Sequence, residues 1–133
     1  MIYMLDTNTC IALIKQKSEK TLKHFRSQTI GDIGISTITL AELRYGVEKS
    51  RFVEKNQQAL DEFLLPLEIA DFDEEAASAY GPVRTGLESA GTPIGPLDTQ
   101  IGAQALSLGA VLVTNNVREF KRIKGLKVID WTA

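Results

Sequence analysis

The sequence predicts a three-layer α/β/α fold in which a mostly parallel sheet of four to five strands lies between helices. Short apolar runs of strand character alternate with longer helix-compatible stretches along the whole chain, a pattern typical of successive βα units. The length of 133 residues is near the commonest size of one domain. Because no repeat, linker or low-complexity segment interrupts the chain, we expect one domain over residues 1–133.

The first half of the chain contains two strand signals and four helix signals. An apolar run over 2–5 stops at Asp6, and helix-compatible sequence follows over 10–15. Ser18 is a suitable N-cap for an amphipathic helix. The predicted elements that follow the first two are a helix over 18–28, a turn and short strand within 31–36, a helix over 37–47, and a helix over 51–65 that ends before Pro66.

The second half repeats the alternation. Asp73 is placed to cap a long helix, and the loop 91–96 is dense in Gly and Pro. Pro96 favours the start of the next helix, and Gly109 favours its end. The predicted elements are a strand over 67–72, a helix from Asp73 to 90, a helix over 97–108, a strand over 110–114, a helical turn over 115–120 and a strand over 127–130.

Composition restricts the class of protein. With 44% hydrophobic and 24% charged residues the chain is typical of soluble globular proteins. No apolar run approaches the roughly 20 residues of a membrane span, and no signal-peptide pattern opens the sequence. A single cysteine excludes an internal disulfide, and a single histidine excludes a His-rich metal site. We therefore expect a cytoplasmic protein without membrane contact.

The charges are unevenly distributed. The net charge of −2 does not by itself indicate nucleic-acid binding. However, residues 118–127 carry five basic residues against one acid, and residues 15–26 carry another basic cluster. Such clusters can hold phosphates, although solvated helix surfaces have the same composition.

Five polar side chains lie at equivalent places in successive βα units: Asp6, Glu42, Asp98, Asn116 and Glu119. The carboxyl ends of parallel strands share one edge of a sheet, so these groups can approach one another. An oxygen-only set of this kind suits Mg²⁺ or Mn²⁺. Taken singly, each has a structural explanation, for example Asp6 or Asp98 as a helix-terminal acid. Their recurrence, and the apolar surroundings of Asp98, favour a functional site.

Four motifs in this order resemble the PIN-domain ribonucleases of the VapC toxin type, from bacterial VapBC toxin–antitoxin pairs. The motifs are Met4–Asn8, Ser36–Gly46, Gly95–Gln104 and Val113–Phe120. The resemblance extends to the closing Ile129–Trp131, and therefore covers the chain.

The resemblance implies roles for individual residues. Asp6, Glu42 and Asp98 match the acids of the family, with Asp6 and Asp98 as metal ligands. Asn116 and Glu119 complete the site, and Asn116 stands where many members have Asp. The supporting residues are Thr7, Asn8 and Thr114; the candidates for RNA binding are Arg118 and Arg122. Gln104 stands where close relatives often have His.

The resemblance also implies an activity and partners. The activity is Mg²⁺-dependent endonucleolytic cleavage of RNA, tRNA in close relatives, which inhibits translation; Mn²⁺ is an alternative cofactor. The partners are an RNA substrate, a VapB-type antitoxin that lies across the acidic groove, and a second copy of the chain.

Three other classes of protein fit less well. A dehalogenase-like phosphatase needs an acid two residues after Asp6, where this chain has Asn8. A phospho-receiver domain needs its acceptor after the third strand, and Asp71 and Asp73 lack the accompanying Thr and Lys. A non-enzymatic binding module has no need of three acids at strand ends. A PIN-like nuclease outside a toxin–antitoxin pair stays open as the alternative.

Overall fold

The computed structural model describes all residues from 1 to 133. Five strands alternate with seven helices along the chain. In order they are β1 (Tyr3–Leu5), α1 (Thr7–Ile14), α2 (Glu19–Arg26), β2 (Ile33–Ser36), α3 (Thr37–Glu48), α4 (Val53–Leu64), β3 (Glu68–Ala70), α5 (Glu74–Ser89), α6 (Pro96–Leu108), β4 (Val111–Val113), α7 (Val117–Phe120) and β5 (Val128–Ile129).

The five strands form one sheet in the order β3-β2-β1-β4-β5, and every neighbouring pair is parallel. The chain moves outward from β1 through β2 to β3, and later returns to the other side of β1 to add β4 and β5. The direction of winding therefore reverses between β1 and β4. Ligands in open α/β sheets bind at such a reversal, beyond the carboxyl ends of the strands.

The alternation of side chains along the strands divides the core into two layers. Leu5, Ile35 and Val113 pack on one face with buried residues of α1, α3 and α4. Met4 and Leu112 pack on the other face with buried residues of α5, α6 and α7. Successive strand residues face opposite sides of a sheet, so a strand buried on both faces is apolar throughout. The predicted three-layer arrangement is confirmed.

Side-chain caps explain where several helices begin. The carboxylate of Asp6 accepts from the backbone N–H of Thr9, and Ser18, Ser36 and Asp73 cap α2, α3 and α5 in the same manner. The helix α1 begins at Thr7 rather than at the predicted residue 10, because Asp6 is its N-cap. The strands are shorter than predicted, since only their central residues pair.

Candidate active site at the carboxyl edge of the sheet

Asp6 lies at the centre of the carboxyl edge, directly after the middle strand β1. Its side chain is only 3% exposed. One carboxylate oxygen accepts from the Thr9 backbone N–H at 2.8 Å, and the other accepts from the hydroxyl of Thr114, which follows β4. Two donors on opposite sides thus hold this buried carboxylate in one orientation.

Glu42 is presented from the neighbouring unit by α3. The hydroxyl of Ser36 accepts from the Ile38 backbone N–H at 3.0 Å, and this cap starts the helix at the end of β2. The Thr7 hydroxyl then donates to Glu42 Oε1 at 2.8 Å. Only one oxygen of Glu42 is engaged in this bond, and the side chain is half-buried. The other oxygen is free to accept a further hydrogen bond.

Asp98 occupies the first turn of α6, which begins with Pro96. The Thr99 hydroxyl donates to the Gly95 carbonyl at 2.8 Å and ties the preceding loop to this turn. Burial and, to a lesser extent, the negative charges of Asp6, Glu42 and Glu119 together raise the pKa of Asp98 to about 6. The carboxylates of Asp6, Glu42 and Glu119 therefore lie close enough to Asp98 to disfavour its charged form.

Asn116 and Glu119 close the set from the connection that follows β4. The Asn116 backbone N–H donates to the Thr114 hydroxyl at 2.9 Å, and the Asn116 amide donates to Glu119 Oε2 at 2.9 Å. Thr114 thus links two parts of the site, because the hydroxyl that accepts from Asn116 donates to Asp6. Both Asn116 and Glu119 are half-buried.

The donors at this edge fit a hard divalent cation. All are oxygens, and none is balanced by a Lys or Arg ion pair. Burial and the three neighbouring negative charges raise the pKa of Asp98, so a positive charge at this edge is favourable. No three His, Cys, Asp or Glu side chains already stand in the geometry of a metal cage. The arrangement fits a cation held by two carboxylates with water completing its shell, which is the mode that Mg²⁺ favours.

Several predicted residues lie outside this set of contacts. Asn8 is exposed and its side chain makes no hydrogen bond, so it does not hold the acids as we expected. Arg118 is exposed on α7. Arg122 is also exposed, but its guanidinium donates to the Pro93 carbonyl at 3.3 Å, in the loop that leads to Asp98.

Three residues that support the site were not singled out from the sequence as supporting residues. Ser36 caps the helix that carries Glu42, and a polar residue before a helix is a local signal of that role. The Thr9 hydroxyl donates to the Val113 carbonyl at 3.2 Å and ties α1 to β4, a contact without a local signal. Gln104 is 1% exposed and its amide donates to the carbonyls of Ala70 and Asp71 at 3.0 and 2.9 Å. No signal in the sequence identifies those partners, which are more than 30 residues away.

Family and sequence comparisons agree on one class of protein. The model of the PIN domain matches residues 3–126. The tRNA(fMet)-specific endonuclease VapC of Salmonella typhimurium is 47% identical over 129 residues, which are 97% of each chain. Ribonuclease VapC2 of Rickettsia felis is 46% identical over 132 residues, or 98% of each chain.

The solved structures lead to the same class. The crystal structure of DNA-bound VapBC from Salmonella typhimurium matches with a TM-score of 0.93 and 46% identity, over 98% of both chains. That of VapBC2 from Rickettsia felis bound to a promoter DNA fragment matches with a TM-score of 0.90 and 44% identity, over 98% of this chain and 99% of the other. Matches over the full length, with four interacting carboxylates at the sheet edge, have one explanation: the chain belongs to the PIN-domain family, as a member of its VapC ribonucleases.

Proposed function

We propose that this chain is the toxin of a type II toxin–antitoxin pair, acting in the cytoplasm as a homodimeric, Mg²⁺-dependent endoribonuclease that cuts tRNA and thereby inhibits translation. The observation that supports metal-dependent cleavage is the raised pKa of buried Asp98, to which the charges of Asp6, Glu42 and Glu119 contribute. Mutually repelling carboxylates are costly to assemble without a cation to neutralise them. The relatives named above support the RNA substrate and the antitoxin partner.

Each acid has a separate role in this mechanism. Asp6 and Asp98 are the residues that would hold the cation, because Asp6 is the carboxylate whose charge acts most strongly on Asp98. A bound divalent cation supplies positive charge for the scissile phosphate and lowers the pKa of a water. Mn²⁺ has the same preference for oxygen ligands and is expected to substitute.

Glu42 orients the attacking water in this mechanism. Thr7 occupies its Oε1, which leaves Oε2 to accept the water proton as the water oxygen attacks phosphorus. The P–O bond to the departing nucleotide breaks in the same displacement, and its oxygen takes a proton from solvent. Asn116 holds Glu119 beside Asp98, where the pair orients groups around the cation. The exposed Arg118 and Arg122 bind the RNA phosphates that flank the cut.

The substrate is an RNA with the fold of a tRNA. The relative from Salmonella typhimurium is named a tRNA(fMet)-specific endonuclease, and it matches over almost the full chain. We therefore expect the initiator tRNA to be cut faster than an elongator tRNA.

The activity is tested with purified protein and a tRNA(fMet) transcript. We expect cleavage with Mg²⁺ or Mn²⁺, none in excess chelator, and loss of cleavage in Asp6→Ala with the fold retained. Asp32→Asn is the matched control, because Asp32 precedes β2 at the opposite edge of the sheet. Cleavage that survives chelation, or is unchanged in Asp6→Ala, would overturn the mechanism.

A groove next to Glu42 supports the proposed antitoxin partner. It has a volume of about 300 Å³ between α1, α3 and α4, and its walls include Ile11, Ile14, Leu43 and Val47. Glu42 is one of the residues that line it, so an apolar segment that also carries a basic residue can seat there with its cation against the Glu42 carboxylate. The complexes formed by the VapBC relatives support this assignment.

The partner is tested by co-expression with the product of the adjoining reading frame. We expect a stable complex in which cleavage is inhibited, and weaker complex formation in Ala59→Asp, which places a charge on the wall of the groove at a half-buried position of α4. If no such reading frame or complex is found, the chain is a PIN nuclease outside a toxin–antitoxin pair. The cleavage assay above is unaffected by that outcome.

A further inference from the structure

A second cavity lies between α5 and the start of α6, on the face of the sheet opposite to the groove of α1, α3 and α4. It has a volume of about 280 Å³, near the lower end of the roughly 300–1,000 Å³ of small-molecule sites. Leu87, Pro93, Ile94 and Pro96 provide apolar walls. None of the roles assigned above involves this cavity.

The polar groups of the cavity come from one face of α5. Tyr80, Arg84 and Glu88 follow one another at intervals of four residues, so they lie along the same side of the helix. Arg84 Nη1 donates to the Tyr80 hydroxyl at 3.2 Å, and Arg84 Nε donates to Glu88 Oε2 at 3.4 Å. The aromatic ring, the guanidinium and the carboxylate are therefore held in one row beside the apolar walls.

This combination matches the chemistry of a nucleobase. Unstacked RNA bases bind on aromatic rings or guanidinium planes, and their edges need both donors and acceptors. Tyr80 and Arg84 offer the stacking surface, while Arg84 donates and Glu88 accepts. An apolar peptide would use only the apolar walls and would not hydrogen-bond to Arg84 or Glu88, and a free phosphate would meet the carboxylate of Glu88.

The cavity is also adjacent to the acids. Pro96 and Thr99 line it, and Asp98 lies between them in the same turn of α6. Arg122 also contacts this loop, by donating to the Pro93 carbonyl. The phosphates of a nucleotide whose base lies in this cavity can therefore reach Arg122 and the turn that carries Asp98.

We propose that the cavity formed by Tyr80, Arg84, Glu88, Pro93 and Ile94 binds an unpaired nucleobase of the RNA next to the cut, with Tyr80 as the residue on which the base stacks. This inference rests on the proposed ribonuclease function and identifies where the substrate is read.

The first experiment combines changes in the protein and in the RNA. Tyr80→Ala should lower kcat/KM on the tRNA(fMet) transcript roughly 5- to 150-fold, the range expected for loss of one stacked base. An abasic nucleotide at one position beside the cut should lower the wild-type value by a similar factor. Combining the protein variant with the abasic RNA should lower kcat/KM by no more than either change alone. Tyr80→Phe should retain most of the activity, because the ring is kept.

Tyr45→Ala is the matched control, since Tyr45 is 65% exposed on α3, away from the cavity. We expect it to cleave at the wild-type rate, and thermal unfolding of each variant checks its fold. The proposal is refuted if Tyr80→Ala lowers kcat/KM equally on intact RNA and on every RNA that is abasic at one of the tested positions. It is also refuted if Tyr80→Ala lowers kcat/KM on neither.

A second experiment separates this proposal from the ribonuclease itself. RNA substituted with 4-thiouridine is irradiated with the unaltered protein in chelator, so that cleavage is not required. We expect cross-links in the peptides that contain Tyr80 or Pro93–Pro96. Cross-links confined to other surfaces would overturn the nucleobase site even if cleavage is confirmed. Cross-links at Tyr80 without cleavage would overturn the proposed activity alone.

Discussion

Two threonine hydroxyls determine how the carboxylates are oriented. Thr7 donates to Glu42 and Thr114 donates to Asp6. Hydrogen bonds to ionised groups are stronger than those between neutral groups, and they restrict the acceptor to one rotamer. In the proposed mechanism neither hydroxyl reacts, so both threonines are positioning residues.

Replacing Thr7 by Val should reduce activity without reducing the amount of folded protein. Val retains the shape of Thr but cannot donate to Glu42, so the carboxylate can rotate away from the water that it orients. We expect kcat to fall roughly 5- to 10-fold with little change in KM, corresponding to the loss of about 1 kcal/mol. The exposed Thr85→Val is the control, and an equal fall there would contradict the role of Thr7.

Asp98 predicts how the stability of the metal-free protein depends on pH. Its pKa is raised from 3.8 to about 6, so folding favours the protonated form. The stability that this group contributes is therefore fully present below about pH 4 and is lost as the pH rises through about 6. Urea unfolding in chelator should show the wild type losing stability relative to Asp98→Asn over that range. A constant difference between the two proteins would contradict the assignment.

At the scale of elements, close approach of β2 and β3 depends on a glycine. A Cβ at Gly34 would lie 2.6 Å from the Glu68 carbonyl oxygen, which belongs to the neighbouring backbone. Gly34 pairs with Glu68 in the parallel ladder, so a side chain there cannot be accommodated by rotating another side chain. The position of β3, and of the carbonyls that Gln104 binds, depends on this contact.

Two alanine substitutions should therefore have opposite effects on stability. Gly34→Ala should lower the free energy of unfolding by about 1–3 kcal/mol through overpacking. Gly46→Ala should raise it by roughly 0.5–1 kcal/mol, because Gly46 lies in α3 with no atom near its Cβ position. Denaturant unfolding of both variants measures the difference, and a stable Gly34→Ala protein would contradict the predicted clash.

Gln104 connects α6 with the chain that leaves β3. Gln104→Leu removes both hydrogen bonds to the carbonyls of Ala70 and Asp71, and should cost about 1–3 kcal/mol of stability. The exposed Gln58→Leu on α4 is the control. If Gln104→Leu unfolds at the same denaturant concentration as the wild type, the two hydrogen bonds do not contribute net stability.

At the scale of the whole molecule, the fold concentrates negative charge at one edge of the sheet. No helix has the length and apolar character needed to cross a membrane. Asp6, Glu42, Asp98 and Glu119 come from four different segments of the chain and meet where the winding of the sheet reverses. The folded protein should therefore bind a divalent cation that the unfolded chain does not.

Magnesium should stabilise the protein through this site. At about 100 times its Kd, a ligand that binds only the folded state adds about 2.7 kcal/mol to the free energy of unfolding. We expect the Tm of the wild type to rise with Mg²⁺ and that of Asp6→Asn to change little. Asp32→Asn should respond as the wild type does. An equal rise in all three proteins would indicate a nonspecific effect of salt.

The sequence by itself determined the order of strands and helices along the chain, most of the helix caps, and the places of the acids at the ends of strands and the starts of helices. These features depend on residues within one helical turn or one strand, so their signals are local. Ser18 and Asp73 cap helices as predicted, and β1 ends where the apolar run stops at Asp6.

Only the tertiary structure decided which of these groups contact one another. Thr7 and Glu42 are 35 residues apart, and Thr114 and Asp6 are 108 residues apart. Their contacts depend on β1 lying between β2 and β4, an order that no local pattern encodes. The raised pKa of Asp98 has the same origin, because burial and three distant carboxylates produce it together. Asp6 is thus a helix cap by its local sequence, and the centre of the candidate site by the order of the strands.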